Sequence, residues 1–189
     1  MLVGSTPSLS SPQSPDGAVD ISSIRIDNFG QIASTYFRGG QPDGRDYADL
    51  AALGVKTVIN LTSDDAKTNE PTMVAQAGMV YEQIPMTTHR PPTAAELDRF
   101  LGIVNDAARQ PVFVHCVGGR HRTGIMTAVY RMAQDGWTAD QAFSEMRKFK
   151  FGAAFLHSEF KNFVYAYPAM LANATAAAAS KMAPKPGGR

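Results

Sequence analysis

The sequence of 189 residues has a single cysteine, no long apolar run and no excess of either charge. One cysteine cannot form a disulfide within the chain. No apolar run approaches the roughly 20 residues that span a membrane, so no membrane span is predicted. The N-terminus lacks a basic start followed by an apolar stretch, so no intact signal peptide is expected. The compartment stays open between the cytoplasm and, if a signal peptide has been removed, export.

The charges nearly cancel, with 18 basic and 17 acidic residues and a net charge of +1. This balance argues against a nucleic-acid partner, although a small basic pocket remains compatible with it. The four histidines and one cysteine lack the spacing of metal ligands, so no metal and no cofactor are predicted. We expect a monomer.

Composition divides the chain into one domain and two tails. Residues 1–20 are rich in Ser, Pro and Gly and are predicted to be a flexible tail. Residues 21–172 are predicted to form the folded domain, for which an apolar fraction of 44% suffices. Residues 173–189 are predicted to be a second flexible tail, although its Ala-rich part can extend a helix.

Strands and helices alternate in the first part of the domain, and helices follow one another near its end. Short strands are predicted at 24–26, 34–38, 56–61, 80–84 and 111–115. Thr93 and Glu96 form a capping box that opens a helix to about Ala108. Further amphipathic helices are predicted between residues 122 and 167. This order indicates an α/β, three-layer-like fold in which helices flank a central, partly parallel sheet.

The segment His-Cys-Val-Gly-Gly-Arg-His-Arg-Thr-Gly at 115–124 lies between a predicted strand and a predicted helix. In such a loop the backbone N–H groups and the helix dipole together bind an anion. Cys116 lies at the base of the loop, where these groups favour the thiolate. A thiolate directed at a bound phosphorus is an activated nucleophile. A lone cysteine is more often an apolar core residue, but the whole string is too rare to arise by chance.

The other residues of the segment suit the same chemistry. Arg122 can grip two phosphate oxygens with its planar guanidinium. Thr123 can donate its hydroxyl to the sulfur when the sulfur leaves, and His115 can order the loop through its ring nitrogens. The glycines allow the tight turn. The predicted phosphate-binding residues are Val117, Gly118, Gly119, Arg120, His121 and Arg122.

This segment resembles the signature His-Cys-x-x-Gly-x-x-Arg-Ser/Thr-Gly of the cysteine-based protein tyrosine phosphatase superfamily. The resemblance covers about residues 37–167, which is too short for the insertions of the larger tyrosine-specific enzymes. Tyr-Phe-Arg-Gly-Gly-Gln-Pro at 36–42 and the strand at 56–61 look most like the atypical dual-specificity phosphatases of bacteria, fungi and plants. The resemblance implies a dual-specificity phosphatase-like fold, a phosphocysteine intermediate, Cys116 as nucleophile and Arg122 as phosphate clamp. Some members of that group act on inositol pyrophosphates.

The expected general acid is missing. Such enzymes carry an aspartate on a loop about thirty residues before the cysteine, but residues 85–92 contain no carboxylate, and Thr88 stands where it is expected. Three explanations remain. Asp64 or Asp65 reaches the site from the end of the strand at 56–61; the substrate has a good leaving group; or His89 serves as the acid. We favour them in that order, with Asp65 as the assigned acid.

Functions of different classes remain open. The first is a tyrosine or dual-specificity protein phosphatase. The second is a phosphatase of inositol or other small or lipid polyphosphates, which Arg120, His121, His89 and Arg90 favour. The third is a phosphate-binding pseudophosphatase, which the missing aspartate favours and the intact signature opposes. A fourth function, sulfur transfer as in rhodanese-like enzymes, is disfavoured by the His-Cys and Arg-Thr-Gly residues that flank the loop. The expected partner is therefore a phosphorylated protein or a small phosphorylated substrate.

Arg38, which precedes two glycines, is open to two interpretations: it either braces the signature loop or lies on the surface.

Overall fold

The computed structural model describes residues 21–63, 65–153 and 157–182, without the side chains of residues 179, 181 and 182. The predicted tail at 1–20, the alternative acid Asp64 and residues 183–189 lie outside the described residues. After a short 3-10 turn, the elements in chain order are β1 (Gly30–Ala33), β2 (Tyr36–Gly39), α1 (Asp46–Ala52), β3 (Thr57–Asn60), α2 (Glu70–Gln76), β4 (Val80–Gln83), α3 (Ala94–Val104), β5 (Val112–His115), α4 (Arg122–Gln134), α5 (Ala139–Lys148) and α6 (Ser158–Met182).

The five strands form one sheet in the order β1-β2-β5-β3-β4. The pairs β2–β5, β5–β3 and β3–β4 are parallel, and only β1 runs antiparallel to its neighbour. β5 is therefore the central strand, and its four residues Val-Phe-Val-His are all buried. The predicted α/β fold with a partly parallel sheet is confirmed.

Helices cover both faces of the sheet, and alternate strand residues point to opposite sides. Val112 and Val114 of β5 pack with α3, α4, α5 and α6 in the larger apolar cluster. Phe113, between them, packs with α1 and α2 in the smaller cluster. The apolar run Val-Phe-Val in β5 is what burial on two faces of a parallel sheet requires.

Local signals explain most of the boundaries. Thr93 forms a complete capping box with Glu96 at the start of α3, as predicted. Thr138 forms a second one with Gln141 at the start of α5. The strand predicted at 24–26 is wrong, because the chain turns through Asn28, whose φ is 57°, and β1 begins only at Gly30. α6 continues to Met182, so residues 173–182 of the predicted tail are helical.

None of the helices in the described ranges is both long enough and apolar enough to cross a membrane.

Candidate active site

The signature loop joins the carboxyl end of the central strand to the start of α4. His115, the last residue of β5, is in register with Gly39 of β2 on one side and with Asn60 of β3 on the other. Arg122 is the first residue of α4. Cys116 therefore leaves the sheet at its middle, where the loops after parallel strands converge and the α4 N-terminus faces them.

A cavity of about 240 Å³ lies over this loop. The side chain of Cys116 is 97% buried at its base, since only 3% is exposed. Around Cys116 the cavity is lined by five of the six predicted phosphate-binding residues, Val117, Gly118, Arg120, His121 and Arg122, and by Thr88, which stands where the aspartate was expected. Gly119 does not line the cavity and supports the loop from behind.

Gly119 allows the loop to lie directly against the end of β2. Its φ is +63°, a value that side chains rarely adopt, and a Cβ there would lie 2.4 Å from the carbonyl carbon of Gly39. Its carbonyl accepts hydrogen bonds from Asn28 Nδ2, at 2.7 Å, and from Arg38 Nη2. The same Asn28 amide also donates to the carbonyl of Phe149, at 2.8 Å. The loop is thus held by Asn28 and Arg38, and Asn28 links it to the end of α5 at Phe149.

Arg38 is a fully buried brace and not a surface residue. Its guanidinium carbon lies 4.1 Å from the centre of the Phe149 ring, a cation–π contact. Burial lowers the pKa of Arg38 to about 10, against the opposing charges of Tyr36 and Cys116. A positive charge therefore lies behind the nucleophile.

Arg122 forms a two-pronged ion pair with Asp65. Its Nη1 and Nη2 donate to the two carboxylate oxygens at 2.9 and 2.6 Å, and Nη1 also donates to the carbonyl of Met86 at 3.1 Å. Burial alone would lower the pKa of Arg122, but the hydrogen bonds that it donates to Asp65 and the charge of Cys116 outweigh burial and raise the pKa. The guanidinium thus lies within electrostatic reach of both the nucleophile and the predicted acid.

Asp65 borders a second cavity, of about 200 Å³, next to the first. Its lining residues are Asp65, Thr87, Thr88, His89 and Arg122, so Thr88 and Arg122 lie between the two cavities. The hydrogen bond from Arg122 is the main cause of a lowered Asp65 pKa. His89 is exposed and its backbone N–H donates to Thr87 Oγ1 at 3.3 Å. Both described candidates for the acid therefore lie beside the nucleophile cavity.

Thr123 and His115 are fully buried. The Thr123 hydroxyl has no hydrogen-bond partner in the part of the chain that the structure describes, so its predicted bond to the sulfur stays a prediction. His115 Nε2 lies 3.0 Å from Oε1 of Glu70, which is also fully buried. Nε2 of His115 therefore faces α2. Glu70 is the residue that the sequence analysis missed.

The two outer residues of the loop, Arg120 and His121, differ in how far they are exposed to solvent. Arg120 is half-exposed, and its Nη2 lies 3.6 Å from Asp27 Oδ2. His121 is half-buried, with its Nε2 at 3.0 Å from the carbonyl of Phe151 and its ring centre 3.9 Å from that of His157. Burial is the main cause of a lowered His121 pKa. Arg90, which the sequence analysis counted in favour of a polyphosphate substrate, donates two hydrogen bonds to Glu96, at 2.9 and 2.8 Å.

The family model that describes a DSP-PTPase phosphatase fused to NAD+ kinase matches residues 22–162, which include the whole site. The chain belongs to this DSP-PTPase family. The resemblance that the signature predicted is confirmed.

Curated relatives agree with this assignment. The dual specificity protein phosphatase TpbA of Pseudomonas aeruginosa is 30% identical over 125 residues, which cover 66% of this chain and 56% of TpbA. The inositol diphosphatase SIW14 of Saccharomyces cerevisiae is 26% identical over 136 residues, covering 69% of this chain and 48% of SIW14. The chain thus spans about half the length of these relatives.

Solved structures show the same fold. The crystal structure of P. aeruginosa TpbA superposes with a TM-score of 0.63 and 29% identity, covering 78% of this chain and 86% of that one. The Siw14 catalytic core gives a TM-score of 0.66 at 25% identity, covering 75% of this chain and 85% of that one.

Within the described ranges, no group of three or more His, Cys, Asp or Glu side chains is placed to hold a metal ion.

Proposed function

We propose that this chain is a cysteine-based phosphatase that hydrolyses phosphate monoesters, with Cys116 as nucleophile and Arg122 as phosphate clamp. The observation that carries the proposal is that both side chains line one cavity of about 240 Å³ at the start of α4. The buried cation Arg38 lies behind the loop and the α4 N-terminus faces the cavity. The site therefore supplies an anion cradle, a clamp and a nucleophile without a metal.

The reaction takes two steps. In the first, the Cys116 thiolate attacks phosphorus, the S–P bond forms, and the P–O bond to the leaving group breaks as that oxygen takes a proton. In the second, water gives a proton to the base that protonated the leaving group and attacks the phosphocysteine, the S–P bond breaks, and the thiolate returns while inorganic phosphate leaves. Arg122 binds two phosphate oxygens throughout. To Thr123, which is buried at the start of α4 with its hydroxyl unpartnered in the described structure, we assign the stabilisation of the departing sulfur.

We assign the proton transfer to Asp65. In the structure its carboxylate is held by Arg122, which lowers its pKa and keeps it ionised. A bound phosphate competes for the same two N–H groups of Arg122 and brings negative charge next to Asp65. Both changes raise the affinity of Asp65 for a proton, since a lost cation and a new anion favour the neutral acid. Substrate binding thus converts Asp65 from a partner of Arg122 into an acid beside the leaving group.

The preferred substrate class is phosphotyrosine and other phosphorylated side chains in proteins. This choice is supported by the name of TpbA, a dual specificity protein phosphatase, and by the probable tyrosine-protein phosphatase DG1060 of Dictyostelium discoideum, 29% identical over 126 residues. A second candidate is a small polyphosphate. It is supported by relatives named inositol diphosphatases and by the half-exposed Arg120 at the cavity rim, whose charge suits a second phosphate.

The test is phosphate release by the wild type and Cys116→Ser, each checked for folding by circular dichroism. The substrates are an activated aryl phosphate, phosphotyrosine and phosphothreonine peptides, and inositol polyphosphates. We expect turnover by the wild type alone, because serine is not ionised at neutral pH. Turnover by Cys116→Ser would overturn the mechanism. The best substrate selects between the two candidates. Phosphate binding without turnover by the wild type would instead indicate a pseudophosphatase.

A further inference from the structure

One carboxylate pairs with two cations at the rim of the nucleophile cavity. Asp27 Oδ1 lies 2.8 Å from Nζ of Lys150, and Asp27 Oδ2 lies 3.6 Å from Nη2 of Arg120. Arg120 lines the cavity together with Cys116 and Arg122. The three side chains of this cluster are each about half-exposed, so their charges are open to a ligand from solvent.

The fold fixes the position of Asp27 between two segments of the chain. Its backbone carbonyl accepts a hydrogen bond from the N–H of Gly40 at 2.7 Å. Its neighbour Asn28 donates to the carbonyls of Gly119 in the signature loop and Phe149 at the end of α5. The carboxylate of Asp27 connects the next residue of each of these segments through its two ion pairs. The ion pairs are therefore part of a double link between the loop and α5.

Lys150 is held in a backbone conformation that a lysine rarely adopts. Its φ is 58°, in the left-handed region. Such strain persists only where the surrounding structure imposes it, and it is found most often at functional sites. The N–H of Lys150 donates to the carbonyl of Arg147 at 3.2 Å, so the chain turns directly after α5. This turn brings the ammonium group to Asp27, which lies 123 residues earlier in the chain.

The cluster carries two positive charges and one negative charge. The hydrogen bond from Lys150 is the main cause of a lowered Asp27 pKa, and the charge of Arg120 adds to it, so Asp27 is ionised at neutral pH. An anion that binds Arg120 must compete with this carboxylate, and two negative charges close together repel each other. A second phosphate on a substrate therefore loses part of the attraction that the two cations would otherwise provide.

We propose that Asp27 is a specificity-determining residue that neutralises Arg120 and Lys150 and so disfavours substrates with a second phosphate beside the scissile one. The proposal rests on the proposed function and deepens it, because it favours monophosphorylated substrates over polyphosphates at the same site. Its effect opposes that of Arg120, whose charge alone suits a second phosphate.

The test compares Asp27→Asn with the wild type on two matched pairs of substrates. One pair is a phosphotyrosine peptide without and with a second phosphate on the adjacent residue, and the other is an inositol monophosphate and an inositol polyphosphate. Asparagine keeps the shape of the side chain but removes its charge. We expect the ratio of kcat/KM, polyphosphorylated over monophosphorylated, to rise about three- to fivefold, through KM. A rise in one pair alone identifies the source of the second phosphate.

Salt and further variants separate an effect of charge from a change of structure. The rise should shrink between about 0.01 M and about 1 M salt, because exposed charges are screened. Lys150→Gln should lower the ratio, since one attracting charge is lost while Asp27 remains. Asp43→Asn is the matched control, because Asp43 is an exposed aspartate that pairs with a lysine, Lys67, away from the rim. Its ratio should equal that of the wild type.

An unchanged or lower ratio on both pairs in folded Asp27→Asn, or an equal rise in Asp43→Asn, would overturn the proposal. Calorimetry of pyrophosphate and inorganic phosphate binding to Cys116→Ser, with and without Asp27→Asn, measures the corresponding affinity ratio without turnover. A wild type that releases no phosphate, together with the expected shift of this affinity ratio, would contradict the proposed function and leave the role of Asp27 standing.

Discussion

Asp65 binds both terminal nitrogens of Arg122, at 2.9 and 2.6 Å, and so occupies the fork that a substrate phosphate needs. A guanidinium binds carboxylate and phosphate with the same two-pronged geometry. Arg122 itself is almost fully buried, while 40% of the Asp65 side chain is exposed. The carboxylate is therefore the more exposed half of the pair, and phosphate binding is expected to be an exchange of one anion for another.

This exchange predicts that Asp65→Asn tightens the binding of inorganic phosphate. The competing charge is lost, and a partly exposed ion pair is worth about 1 kcal/mol, or about a fivefold change in Kd. Calorimetry in a Cys116→Ser background measures it without turnover. Arg122 holds the pKa of Asp65 below its ordinary 3.8, so Asp65 is ionised above that pH. The gain should persist from pH 5 to 8 and disappear only as the pH falls through the lowered pKa.

Asp43→Asn is the control for this measurement, because Asp43 is an exposed carboxylate that pairs with Lys67 outside both cavities. Its phosphate affinity should equal that of the background. Unchanged or weaker binding by Asp65→Asn would mean that Asp65 supports the clamp and does not compete with the ligand.

The same substitution should impair catalysis in a way that depends on the leaving group. If Asp65 donates the proton, Asp65→Asn should lose about 10²–10⁴-fold in kcat on phosphotyrosine peptides. An activated aryl phosphate, whose oxygen leaves without protonation, should lose much less. The basic limb of the pH profile on peptides should also flatten. The measurement is kcat for both substrates across pH 5 to 9, with His89→Gln in parallel.

His89→Gln separates the two candidates in the second cavity. A flattened basic limb in His89→Gln, with a normal limb in Asp65→Asn, would transfer the role to His89. Normal profiles in both variants would indicate a substrate that needs little protonation.

The elements around the site were predictable because each has a local signal. The apolar runs at 56–61 and 111–115 contain β3 and β5, and the predicted capping box opens α3. The helix end was less certain: α3 stops at Val104, although the apolar pattern continues to Ala108. Helix ends depend on how the last turn packs, which periodicity does not encode.

The contacts that brace the loop were not predictable, because they join residues far apart in the sequence. Asn28 reads as an ordinary turn residue, and Glu70 as a first-turn acid that stabilises its helix. One signal for Glu70 was available. The segments that follow neighbouring parallel strands meet at one edge of the sheet. That reasoning selected Asp64 and Asp65 after β3, and it applies equally to Glu70 a few residues later.

Gly119 gives the sharpest prediction about stability. A methyl group at this position would lie 2.4 and 2.5 Å from the carbonyl carbon and oxygen of Gly39, and alanine is strained at φ +63°. These are backbone atoms of β2, so a side-chain rotation cannot relieve the clash. Gly119→Ala should therefore lower the free energy of unfolding by about 2 kcal/mol or more and displace the carbonyl that Arg38 and Asn28 hold.

Urea unfolding measures the first effect, and phosphate release measures the second, which should be a loss of at least about tenfold. Gly118→Ala is the control for stability, since its added methyl would contact only the flexible side chain of Arg120, at 3.4 Å or more. Its free energy of unfolding should stay within about 0.5 kcal/mol of the wild type. Equal stability of the two variants would show that the loop can move away from β2. The brace formed by Arg38 would then not set the position of Cys116.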